Sequence, residues 1–91
     1  MLPLGVINER MKELDNWALE GISIIKDFGF ENFKGAIEFV NKVGEIAEKH
    51  NHHPDILLSF RNVRLSLTTH FEKGLTSKDF EVAKEIDEII K

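Results

Sequence analysis

FKGAIEFVNKVGEIAEKHNHHPDILLSFRNVRLSLTT, residues 33–69, changes its hydrophobic period once, and that change decides the fold. Up to His50 the apolar residues Phe33, Ile37, Val40, Val43 or Gly44, and Ala47 recur every three or four positions, the spacing of one buried stripe on a helix. Beyond Pro54 the period falls to two. Val63, Leu65 and Leu67 alternate with Arg64, Ser66 and Thr68, as on a strand with one face buried and one polar. The apolar run Ile56–Phe60 precedes them, and Arg61-Asn62 between the runs predicts an antiparallel hairpin. Pro54 cannot continue a helix and biases His53 away from helical geometry, so the helix must end in or before the histidines. Gly35 and Gly44 inside it each cost about 1 kcal/mol against alanine, which marks either close approach of another element or simple tolerance.

Outward from this stretch the same signals repeat. Ile7, Met11 and Leu14 fall at i, i+4 and i+7, predicting a short helix over Val6–Leu14 that ends before the turn-forming pair Asp15-Asn16. Gly21 separates Trp17–Glu20 from Ile22–Phe28 as two antiparallel strands. Ile22, Ile24, Phe28 and Phe30 share one parity there, with Lys26 as the exception. Thr76-Ser77-Lys78-Asp79 has the form of a capping box, and a last helix follows with Phe80, Ala83, Ile86 and Ile90 on one face, running almost to Lys91. The order α-β-β-α-β-β-α predicts an α+β fold: a four-stranded antiparallel sheet with helices packed on one face.

Composition narrows the function. Ninety-one residues make a single domain, residues 1–91, whose core is thin enough that association with further copies would help it. The absence of cysteine removes disulfides and thiolate metal sites. A formal charge of −4, from 16 acidic and 12 basic residues, argues against binding nucleic acid directly. Charged residues follow closely on the first six, which leaves no signal-peptide core, and no apolar stretch suits a membrane span. A cytoplasmic protein with no membrane partner is the expectation.

Three of the four histidines, His50, His52 and His53, crowd into four positions at the helix end. Imidazoles both give and take protons near neutral pH. Glu48 lies four residues before His52, so a helix persisting that far would bring the carboxylate to that ring. A hairpin ending at Thr69 would return His70, on the parity of Arg64, Ser66 and Thr68, to the neighbourhood of His52 and His53. His50 is read as a helix-end residue suited to the dipole. No metal is expected: adjacent His52 and His53 seldom reach one ion, and no motif supplies an open-site carboxylate.

Taken together, Glu48, His52-His53-Pro54, Phe60, the Leu67-Thr68-Thr69-His70 sequence, and Asp79 after Gly74-Leu75-Thr76 resemble the pterin-4a-carbinolamine dehydratases. Trp17, the aromatics Phe28, Phe30 and Phe33, and Ile86-Asp87 also fit, so the resemblance covers nearly the whole chain from Leu14. It implies the same fold and the loss of water from 4a-hydroxytetrahydropterin to give quinonoid dihydropterin, with the pterin as substrate and no cofactor. By resemblance His52 and His70 carry the catalytic proton transfers, and His53 joins them by binding and orienting the pterin. Glu48 belongs to the same site, and Asn51, Thr68 and Thr69 are expected contacts to the ring. Asp79 is read as the capping residue, with support of the site as the alternative. The chain departs from many relatives at Ile56, where they have tryptophan, and at Phe60, where tyrosine is common. Relatives form homodimers and homotetramers, and some animal members also serve as dimerisation cofactors of a homeodomain transcription factor. Roles in molybdopterin metabolism are a further alternative.

Overall fold

The helix-to-strand switch lies where the sequence puts it. In the computed structural model, which describes every residue from Met1 to Lys91, the elements are α1 (Leu4–Met11), β1 (Ala18–Glu20), β2 (Ser23–Gly29), α2 (Phe33–His50), β3 (Asp55–Ser59), β4 (Asn62–Leu67) and α3 (Ser77–Ile89). A single 3-10 turn, His70–Glu72, stands between β4 and α3. At the start of α2, Asn32 Oδ1 accepts the Gly35 N–H at 2.7 Å, satisfying one of the donors a helix leaves unpaired. At its end Asn51 adopts the left-handed conformation, φ 49°, and reverses the chain toward Pro54.

The strands form one antiparallel sheet in the order β1-β2-β4-β3. Ile24, Lys26 and Phe28 of β2 stand opposite Leu67, Leu65 and Val63 of β4. This inner row closes against Ala36, Phe39, Val43 and Ile46 of α2 and Phe80, Val82, Ala83 and Ile86 of α3. Leu2, Ile7, Met11 and Leu14 seal the margin of that core, so the helices cover one face of the sheet as expected. The other face carries the fork-like pair of Arg64 with Asp27, with nitrogen-to-oxygen distances of 2.7 and 2.9 Å. The hydrogen bond from Arg64 holds the Asp27 carboxyl below its ordinary pKa.

Several boundaries and phases differ from the sequence expectation. The buried stripe of α2 is rotated: Ala36, Phe39, Val43, Ile46 and Ala47 are buried, while Phe33 is half exposed. Two overlapping stripes exist in this helix, sharing Val43 and Ala47, and the one carrying Ala36, Phe39 and Ile46 faces the sheet. The second hairpin turns at Phe60-Arg61, since Ser59 pairs with Asn62, and Phe60 takes φ 52°. In the first hairpin Gly21, at φ 61°, turns the chain with Ile22, which leaves Ile22 exposed in the turn. In α3 Val82 replaces Ile90 on the inner face, because the helix stops at Ile89.

Lys26 keeps the inward parity of Ile24 and Phe28 although it is charged. Its side chain points inward and is 7% exposed. The ammonium donates to Asp87 Oδ1 at 2.8 Å and to the Asp15 carbonyl at 2.6 Å, and the Trp17 indole N–H reaches the same Asp87 carboxylate at 3.0 Å. The inner row is thus completed by an ion pair joining sheet to α3 where an apolar side chain would be usual.

Of the two glycines inside α2, only one has a close neighbour. An added Cβ at Gly35 would stand 3.3 Å from the capping oxygen of Asn32, whereas one at Gly44 would meet nothing within 4 Å. Gly44→Ala is therefore expected to raise stability by about 0.5–1 kcal/mol, seen as a higher urea midpoint at unchanged slope. A lower midpoint would show that another surface approaches the helix there.

Candidate functional site

The left-handed residue Asn51 that ends α2 also decides where each histidine points. His52 comes after the cap and so leaves the face of α2. The expected pairing of Glu48 with His52 does not form. Glu48 instead reaches His53 Nε2 through its Oε2, on an exposed part of the surface. His52 turns under the chain, is 9% exposed, and places Nε2 2.6 Å from Oδ1 of fully buried Asp79.

Asp79 serves both of the roles considered for it. Its Oδ2 accepts the Thr76 main-chain N–H at 2.9 Å, closing the capping box of α3. The same oxygen accepts the Thr69 hydroxyl at 2.8 Å, and Oδ1 is left for His52. A carboxylate surrounded by donors fixes the tautomer of its histidine, so His52 carries a proton on Nε2. Every buried side-chain nitrogen and oxygen in the protein has a partner. Nδ1 of His52, which has none, therefore opens to the surface.

His52 also lines a cavity of about 230 Å³, together with Asn51 and His53 from the α2–β3 junction and Thr68, Thr69, His70 and Phe71 from the end of β4 and the turn beyond. The return of the β3–β4 hairpin brings the two chain segments together, since Asp55 pairs with Ser66. His70 does not end the strand: β4 stops at Leu67, and His70 opens the 3-10 turn as an exposed residue with neither ring nitrogen bonded. Its ring is thus unconstrained by partners, in contrast to His52.

The remaining expected site residues divide. Asn51, His53, Thr68 and Thr69 all line the cavity, while Glu48 stands beside it through His53. The Thr68 hydroxyl donates to the Ile22 carbonyl at 2.6 Å, and that of Thr69 to Asp79. Both protons are used inside the protein, so toward a ligand these hydroxyls offer acceptor lone pairs only. His50 faces α3, with Nε2 2.9 Å from Glu85 Oε1. Hydrogen bonds from His50 and Lys49 hold the Glu85 carboxyl below its ordinary pKa. That contact is structural and lies outside the cavity lining.

Two features of the site escape sequence reasoning. Support of the site is the alternative role of Asp79 in the sequence, but its partner there is not legible: the reach to His52 crosses 27 residues, and the capping-box pattern accounts for only one of its oxygens. Phe71 had no periodic neighbour to draw attention to it. The one available signal is an aromatic residue directly after His70 in an otherwise polar segment.

A family profile described as Pterin 4 alpha carbinolamine dehydratase matches residues 3–89. A chain from Sulfolobus acidocaldarius, provisionally named pterin-4-alpha-carbinolamine dehydratase, is 43% identical over 83 residues, 91% of each chain. One from Roseiflexus sp., with the same provisional name, is 49% identical over 84 residues, 92% of this chain and 90% of its own. The crystal structure of a transcriptional coactivator/pterin dehydratase from Brucella melitensis superposes with a TM-score of 0.92 at 32% identity, covering 97% of this chain and 96% of that one. A pterin dehydratase-like protein identified as a RuBisCO assembly factor in the alpha-carboxysome shares the fold alone, with a TM-score of 0.65 at 16% identity over 79% of this chain and 83% of its own. On the match over almost its entire length and the identities above 40%, the chain belongs to the pterin 4 alpha carbinolamine dehydratase family.

Proposed function

We propose that this protein removes water from 4a-hydroxytetrahydropterin, giving quinonoid dihydropterin, by general acid–base catalysis from His52 and His70. The observation that carries the reading is the state of the His52 ring: its Nε2 is bound to Asp79, its Nδ1 is unpaired, and the residue lines one cavity with His53 and His70.

The reaction needs two proton movements. The C4a–O bond breaks and the hydroxyl leaves as water after receiving a proton, while N5 loses its proton as the C4a–N5 double bond forms. His52 suits the second task, since Nδ1 is held as an acceptor and the buried carboxylate compensates the imidazolium that results. His70, unpaired and exposed, delivers a proton to the departing hydroxyl and exchanges it with solvent. His53, steadied by Glu48, borders the same cavity and positions the pterin together with Asn51, Thr68 and Thr69. No step calls for a metal or cofactor.

Self-association belongs to the same reading. The edge strand β3 exposes Ile56 and Leu57, and β3 pairs on only one side. No helix of the protein is long and apolar enough to cross a membrane.

The test is decay of enzymatically generated carbinolamine. The protein should accelerate it, and His52→Ala and His70→Ala should each lower kcat by about 10²- to 10⁴-fold, the usual contribution of a positioned acid or base. If both variants turn over at the parent rate, the assignment of roles is wrong.

A further inference from the structure

Phe71 is the most exposed large apolar side chain in the protein, at 84%, and it stands at the cavity rather than on a remote surface. The other residues lining that cavity are histidines, threonines and an asparagine, so Phe71 supplies the only apolar ring there. An aromatic ring left in water forgoes the gain that burial would bring, which a folded chain ordinarily avoids by turning the ring inward. Here the backbone prevents that.

The turn that carries Phe71 is fastened on both sides. Glu72 N–H donates to the Thr69 carbonyl at 3.1 Å, and Lys73 N–H to the His70 carbonyl at 3.0 Å. Thr69 and Gly74 bridge each other, with Thr69 N–H to Gly74 O at 3.1 Å, and the Leu2 N–H ties Leu75 O to the N-terminal segment at 2.8 Å. Lys73, in the left-handed conformation at φ 54°, closes the turn. The ring is therefore presented from a short, closed loop beside His70, and placing it there requires no reordering of the backbone when a ligand arrives.

We propose that Phe71 stacks on the substrate ring, forming the apolar wall against which a flat, fused heterocycle is held while the histidines on the other walls address its edge. Polar groups fix the orientation of such a ligand, but they give a ring face nothing to rest on. An aromatic face meets this need, and it favours a two-ring heterocycle over a single ring because the overlapping area is larger. This inference rests on the pterin reading above and names the residue that selects for ring shape. Phe71 is a binding residue in this account and takes no part in proton transfer.

The experiment separates KM from kcat. Phe71→Ala should raise KM for the carbinolamine about 10-fold, equivalent to about 1.4 kcal/mol, while kcat stays within about 2-fold. Binding of the stable probe 7,8-dihydropterin, followed by fluorescence titration, should weaken by a similar factor. A single-ring 2-amino-4-hydroxypyrimidine should lose less. Phe71→Trp should restore both constants, and Phe71→Leu, apolar but not planar, should restore them only in part. Because the side chain is exposed, these variants are expected to fold, which circular dichroism and the urea midpoint will show. If the parent protein turns over carbinolamine but Phe71→Ala leaves KM and probe affinity unchanged, the stacking role is overturned. It is also overturned if that variant changes only the sedimentation behaviour, since the ring then serves contact between copies. If the parent neither binds the probe nor turns over carbinolamine, the pterin reading itself fails.

Discussion

Asp79→Ala is expected to lower stability by about 2–5 kcal/mol, because it removes the acceptor of the buried His52 Nε2–H and of the part-buried main-chain N–H of Thr76. Thr69 loses the same acceptor, although its hydroxyl keeps a partner in Thr76 Oγ1 at 2.8 Å. The isosteric Asp79→Asn separates this structural cost from chemistry. An amide presents one acceptor oxygen and one NH2 group, so it cannot accept on both sides as the carboxylate does. If its oxygen serves Thr69 and Thr76, the NH2 faces His52 and drives the ring to the opposite tautomer, with the proton on Nδ1. That nitrogen is then no longer basic, and the charge that would compensate an imidazolium is gone. We expect kcat to fall about 10²- to 10⁴-fold in Asp79→Asn with most of the stability retained. An Asn variant that melts like the parent and turns over at the parent rate would remove Asp79 from the mechanism.

The second large effect lies far from the cavity. Asp87→Ala is expected to cost about 3–5 kcal/mol, because it leaves the buried Lys26 ammonium with only the Asp15 carbonyl and the Trp17 indole N–H with no acceptor. Domains of this kind are stable by only about 5–15 kcal/mol in total, so the melting temperature should fall by more than about 10 °C. Combining Lys26→Met with Asp87→Asn removes both charges and keeps an acceptor for Trp17. That pair of changes should recover most of the loss, since the cost arises from the uncompensated charge rather than from the absence of an ion pair. Thermal and urea melts of the two variants decide the matter: a cost below about 1 kcal/mol for Asp87→Ala would show that Lys26 finds water in the folded protein.

These two carboxylates explain how the fold and the site are joined. Both lie on α3, eight residues apart and buried, and each accepts from a residue that reaches it from another element: Lys26 of β2, and His52 just before β3. One anchors the helix to the sheet, and the other anchors it to the site. Loss of Asp79 should therefore act on catalysis and stability together, whereas loss of Asp87 should act on stability alone.

The sequence by itself determined the order of elements, the antiparallel sheet with helices on one face, and the meeting of His52, His53 and His70. Period and proline are local properties of the chain, and a two-residue hairpin return leaves little choice about which ends come together. The tertiary structure alone decided which stripe of α2 is buried, which partners Lys26 meets inside, and which carboxylates His50, His52 and His53 receive. Those outcomes depend on surfaces that meet only in the folded protein: Phe33 and Ile37 match Phe39 and Ile46 in kind, so the docking of α2 on the sheet decides between the stripes, and Lys26 is tolerated inside because Asp87 stands opposite. The partner of His52 belongs to the same class. Local spacing offered Glu48, but the left-handed turn at Asn51 takes His52 off the helix face and delivers it to Asp79, 27 residues further along the chain.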